Sequence, residues 1–80
     1  MPSVFRQDGF RFFFYSNEGD PREPAHVHVR TDLAEAKFWL RPEVALATST
    51  GFDARTLRRI ALLVEARRDE IERAWHDYFR

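Results

Sequence analysis

The chain has 80 residues, 13 basic and 13 acidic side chains, no cysteine and no net charge. That leaves room for a single small domain over 1–80, excludes disulfide frameworks and thiolate metal sites, and argues against bulk electrostatic capture of nucleic acid. No apolar run reaches membrane-spanning length and "MPSVFRQDGF" lacks a signal-peptide profile, so a soluble cytoplasmic protein without membrane contact is expected.

Eight Phe, two Trp and two Tyr give so short a chain large side chains for a core. "VFRQDGFRFFFYS" reads as a hairpin, because Asp8-Gly9 suits a two-residue type I′ turn with positive φ at both positions. That turn pairs Gln7 with Phe10, Arg6 with Arg11, Phe5 with Phe12 and Val4 with Phe13. One face then carries Phe5, Phe10, Phe12 and Phe14, and the other Val4, Arg6, Arg11, Phe13 and Tyr15.

"SNEGDPREP", over 16–24, is rich in turn formers and reads as a loop. "AHVHVRTDLAEAKFWL" then gives a second hairpin. Alternation puts Val27 and Val29 on one side, His26, His28 and Arg30 on the other. A turn near Thr31–Ala34 pairs Arg30 with Glu35, Val29 with Ala36, His28 with Lys37, Val27 with Phe38 and His26 with Trp39. A one-residue slip would set histidines against apolar side chains, so this register is well specified. "EVALATSTG" reads as a fifth strand with Val44 and Leu46 facing the core, or as a brief helix begun by Pro42.

Asp53 is a good N-cap, with Phe52 and Leu57 spaced as a hydrophobic staple. Apolar residues then recur at Leu57, Ile60, Ala61, Val64, Ile71, Trp75 and Tyr78 or Phe79, near a 3.6 period. Arg67 and Arg68 interrupt the stripe, so one bent helix or a tight pair runs to about Tyr78. The fold class is α+β: an antiparallel meander of four to five strands over 1–50, packed on one face by a long C-terminal helix or helix pair over 51–80.

Covering the Val27/Phe38 side leaves the other face open. That face collects Arg6, Arg11, Phe13, Tyr15, His26, His28, Arg30, Lys37 and Trp39, with Glu35 as its one acid. Arg11, Arg30 and Lys37 are placed to hold phosphate and Trp39 to stack a base, as in sheet-faced binders of single-stranded RNA. Solvated strand faces also carry arginine without binding anything. Twelve of the thirteen basic residues are Arg, which favours bidentate anion contacts.

His26 and His28 are the candidates for proton transfer. Neutral His26 could take a proton from a ribose 2′-hydroxyl while Lys37 or Arg30 stabilises developing phosphate charge. Two exposed strand histidines without a chemical role satisfy the same spacing. The pair is a weak metal signal, because a third ligand from Glu23, Asp32, Glu35 or His76 is not fixed by spacing and no cofactor is called for. The closing "ERAWHDYFR" places Trp75, Tyr78 and Phe79 on the sheet, with His76 and Asp77 in solvent.

The segments "MPSVFR", "FRFFFYSNEGDPREPAHVHV", "EAKFWL" and "TLRRIALLVEARRDEIERAW" resemble the bacterial family called domain of unknown function 4160. The most specific element is a Pro-x-His-x-His-Val segment, here Pro24, Ala25, His26, Val27, His28 and Val29, with Ala25 where family members usually carry a second proline. The resemblance implies membership of a toxin–antitoxin-like pair with a small cognate antitoxin-like partner, an RNA-directed activity, and His26 and His28 as motif positions. A non-catalytic module that binds a cognate protein is the alternative.

Overall fold

Asp8 and Gly9 take φ of 54° and 85°, the positive pair that a type I′ turn demands. Around them β1 (Ser3–Gln7) and β2 (Phe10–Phe13) form the first hairpin of the computed structural model, which describes residues 2–18 and 22–80. Three of its four expected pairings hold: Gln7 with Phe10, Arg6 with Arg11, and Phe5 with Phe12. Phe13 instead faces Ser3, with an irregularity between Ser3 and Phe5, so Val4 is the extra residue of a bulge. The predicted loop over 16–24 opens with a 3₁₀ turn, Ser16–Glu18, and its positions 19–21 lie outside the described residues.

Strands β3 (His26–Arg30) and β4 (Glu35–Trp39) pair in the expected register at all five positions. Strand β5 (Ala45–Thr50) pairs with β4 and completes a five-stranded antiparallel meander in chain order, which excludes the brief helix. Val44 packs against the core, but Leu46 does not bury as expected and remains 45% exposed. It lies opposite Phe38 on an edge strand, with neighbours on one side only.

Asp53 caps α1 (Ala54–Ala66), its Oδ1 accepting the Thr56 N–H at 2.7 Å. The helix ends at Arg67, and α2 (Arg68–Tyr78) follows at once. The interruption of the apolar stripe thus becomes a break. Arg67 lays its guanidinium over Phe5, 3.4 Å from the ring centre, and donates to Gln7 Oε1 at 3.0 Å, pinning the junction to β1. Arg41 forks onto Glu72 of α2 with contacts of 2.7–3.1 Å, tying the segment after β4 to the second helix.

The helices bury Ile60, Val64, Ile71 and Trp75 against Phe10, Phe12, Phe14, Val27, Val29, Phe38 and Leu40. At the C-terminal end Phe79 is buried, whereas Tyr78 is 47% exposed. Each such side chain contributes roughly 1.5–3 kcal/mol when fully buried, which is how a sheet this small holds two helices. Among the described residues no helix is long and apolar enough to cross a membrane.

Candidate functional site

The polar face of β3 is not open. His26 is fully buried and His28 is 7% exposed, which corrects the expectation that both imidazoles point into solvent. Two features close over them. Trp75 from α2 places its indole 4.7 Å from the His26 ring, while Phe13 and Tyr15 lie 5.5 Å and 4.5 Å from the His28 ring. Phe13 is itself fully buried here, outside the main core. The second cover is the loop after β2, which carries Glu18 back over the strand.

Glu18 is held there by its own backbone. Its N–H donates to Tyr15 O at 3.2 Å, and its Oε1 accepts the Tyr15 N–H at 3.0 Å. This is half of a capping box, with the third residue of the turn reaching back to the residue before it. The other oxygen, Oε2, lies 2.6 Å from His28 Nε2 and 2.7 Å from His26 Nε2. The carboxylate is 10% exposed, so three polar groups from two segments meet in a nearly dry place.

The outer nitrogens of the rings have different surroundings. His26 Nδ1 lies 2.9 Å from Pro24 O, which fixes that nitrogen as the N–H donor. In the neutral ring Nε2 then presents a lone pair to the Glu18 oxygen beside it. Accordingly His26 Nε2 is buried without a hydrogen-bond partner despite the short approach, and so is His28 Nδ1. The nearest carboxylate oxygen to His28 Nδ1 is Glu35 Oε2, at 3.6 Å. Glu35 also accepts from the Tyr15 hydroxyl at 2.9 Å and 3.1 Å, and burial together with that carboxylate pushes the phenol pKa up.

Burial pushes the pKa of His28 below its ordinary 6.5, outweighing the Glu18 carboxylate that would raise it. Burial alone would raise Glu18, but the hydrogen bonds from His28 and the Tyr15 N–H, together with the His26 ring close by, outweigh it and leave the carboxyl below its ordinary 4.5. Lys37, expected to stabilise developing phosphate charge beside the histidines, is paired elsewhere: its Nζ lies 3.1 Å from Glu23 Oε1 and 4.4 Å from the Trp39 ring centre. Both lowered values carry the same sign. A group with a depressed folded pKa contributes stability above its unfolded value and loses it as pH falls toward the folded value. We therefore expect urea stability to be level above about pH 7, to decline as pH drops through 6.5, and to decline further below 4.5. Unchanged urea midpoints between pH 7 and pH 4 would contradict the buried cluster.

The sequence-predicted site residues thus divide. His26 and His28 meet each other, with ring centres 5.2 Å apart, and His26 meets Trp39 at 5.4 Å. Arg11 and Arg30 lie at the other end of the strands, in a row of direct cross-strand neighbours: Arg6 opposite Arg11, Arg11 opposite Arg30, Arg30 opposite Glu35. Arg6, Arg11 and Arg30 line one open groove of about 400 Å³ together with Gly9, Thr31 and Asp32. Arg11 Nε donates to Ser3 Oγ at 2.8 Å, and its guanidinium lies 5.1 Å from the Phe13 ring centre. Of the third-ligand candidates, Glu35 stands beside His28, Glu23 holds Lys37, and Asp32 borders the arginine groove. His76 is exposed on α2. Glu18 was missed. Its signal was the spacing "YSNE", which fits a short capped turn, but nothing in the loop's composition aims its carboxylate at β3.

A family model described as a domain of unknown function (DUF4160) matches residues 9–76 of the 80. The chain belongs to this family. No curated protein and no solved structure matches it significantly. The DUF4160 match spans β2 through most of α2, so the arginine row from Arg11 onward, the Glu18 turn and both histidines all lie inside it.

Proposed function

We propose that the protein contacts single-stranded RNA through the Arg6–Arg11–Arg30 row, as the RNA-contacting member of a toxin–antitoxin-like pair. The observation that carries this reading is the row itself. Three arginines from three neighbouring strands are direct cross-strand partners and line one groove. Like charges in that arrangement repel, and a polyanion threaded along the groove turns the repulsion into binding. Planar guanidinium groups also suit bidentate contact with phosphate oxygens. Trp39 and Lys37 lie further along the same face and would extend the contact toward the next nucleotides.

Burial weighs against cleavage as the first function. A ribose hydroxyl has to reach within hydrogen-bond distance of a general base, and His26 is fully buried with Glu18 against its inner nitrogen. RNA contact without chemistry at His26, His28 and Lys37 is therefore the reading we adopt. A second reading, a module that binds a small cognate protein, has its own support. β5 is an edge strand with exposed side chains along most of its length, and an added strand from a partner would satisfy its free backbone groups.

Fluorescence anisotropy of a labelled single-stranded RNA decamer tests the first reading. We expect Arg6→Ala/Arg30→Ala to weaken binding at least tenfold at low salt. The slope of log affinity against log salt should shrink by about 1.4, two phosphate contacts at about 0.7 each. Equal affinity for wild type and double variant would remove the arginine row from the account. No binding by either would leave the protein-binding module.

A further inference from the structure

We propose that Glu18, His26 and His28 form a binding site for a divalent transition metal of the zinc class. The donor atoms converge without help. One oxygen of Glu18 and one nitrogen of each histidine lie within 4.8 Å of one another, and none of the three side chains is more than 10% exposed. Two imidazoles and one carboxylate select a borderline transition ion over magnesium or calcium, which prefer oxygen donors. Three protein donors match the ligand count of zinc sites that keep a position for water or another ligand.

The stronger support is the hydrogen-bonding pattern around the donors. Histidines that bind metal through one nitrogen hold the other as an N–H donor to a carbonyl or carboxylate. His26 does so through Nδ1 to Pro24 O at 2.9 Å, leaving Nε2 as a buried lone pair without a hydrogen bond. Among the described residues the other unpartnered buried side-chain nitrogen is His28 Nδ1, which faces Glu35 Oε2 at 3.6 Å. A cation on His28 Nε2 displaces the proton to Nδ1, where Glu35 becomes its acceptor. One ion therefore accounts for both orphaned nitrogens and for the crowding of Glu18 Oε2 between two Nε2 atoms.

The fit requires a small expansion. Tetrahedral bonds of about 2.0–2.1 Å space the donors about 3.3 Å apart. Against Glu18–histidine contacts of 2.6 Å and 2.7 Å, the carboxylate has to withdraw by roughly 0.6 Å, which a side chain on a one-turn loop can do. The two imidazole donors, bounded only by the 4.8 Å that encloses the cluster, reach the same spacing by rotation of the rings, while the central strand that carries them keeps its place.

Tag-free, chelator-treated protein titrated with Zn²⁺, and with Co²⁺ as a spectroscopic probe, decides the matter. We expect one equivalent of Zn²⁺ at micromolar affinity or better, a raised melting temperature, and Co²⁺ absorption in the visible with the intensity of a four- or five-coordinate ion. Glu18→Gln, close in shape to the native side chain, should weaken binding tenfold or more. Glu35→Gln, which touches only the outer nitrogen of His28, should weaken it about 10–100-fold with the fold retained. The exposed His76→Ala should change nothing. The proposal fails if folded wild-type protein takes up no Zn²⁺ at 100 µM, as an order of magnitude for weak surface sites. It fails equally if binding survives both Glu substitutions and is lost with His76→Ala.

Discussion

Trp75→Ala is expected to lower stability by about 3–5 kcal/mol, a large share of the roughly 4–12 kcal/mol expected of an 80-residue domain. The indole is 1% exposed and sits where the two faces of the sheet meet. On the core side its ring lies 5.2 Å from Phe14 and 4.2 Å from Phe79, and beyond them it closes over His26 at 4.7 Å. Truncation opens a cavity in the core and lets water onto a buried imidazole, so the losses combine. Urea denaturation measures it. A midpoint shift worth less than about 1 kcal/mol would mean that α2 does not seal the histidine strand.

Gly51→Ala is expected to cost about 3 kcal/mol or more, whereas Gly9→Ala should cost about 1. Both glycines have positive φ, +90° and +85°, where a Cβ is strained by about 1–3 kcal/mol. Only Gly51 is also crowded. A Cβ there would lie 2.7 Å from Leu33 O and 2.9 Å from Ala34 Cβ, and overlap with backbone adds roughly 1–3 kcal/mol. At Gly9 nothing lies within 4 Å. Thermal melts of the two variants side by side separate strain from overlap, and equal losses would show that the turn after β4's partner strand gives way freely.

These elements also show what a sequence can and cannot disclose. The β3–β4 register was legible to the residue because only one alignment keeps Val27, Val29, Ala36 and Phe38 together. The interruption at Arg67 and Arg68 was legible too, since two arginines cannot continue an apolar stripe, but whether it bends or breaks the helix was not. Bulges carry no such pattern. Val4 looks like any alternating apolar residue, and nothing in the local pattern marks it as the extra one. Leu46 faces the expected side but lies on an edge, and edge position follows from strand order rather than from local pattern.

The site was half legible for the same reason. Alternation placed His26, His28, Lys37 and Trp39 on one side, and the Asp-Gly turn set Arg6 against Arg11, but the pairing of Arg11 with Arg30 joins two hairpins and did not follow from either. Burial of the histidines did not follow, because it depends on Glu18 and Trp75, which lie eight residues before and forty-nine after His26. A loop carboxylate and a helical indole have no period that points at a strand. Contacts between distant segments are where reading by pattern stops.

Sheet order here equals chain order, β1 through β5, and the covering helices come after all five strands. During synthesis each strand can therefore pair with its predecessor as it emerges, with short turns to close and one longer connection between β2 and β3. The apolar side of that nascent sheet, with Phe10, Phe12, Phe14, Val27, Val29 and Phe38, has to wait for α1 and α2. A ribosome that stalls near Gly51 would release an assembled but uncovered surface, the kind of species chaperones hold. The vulnerable interval in this protein's life lies between its fifth strand and its last aromatic residue.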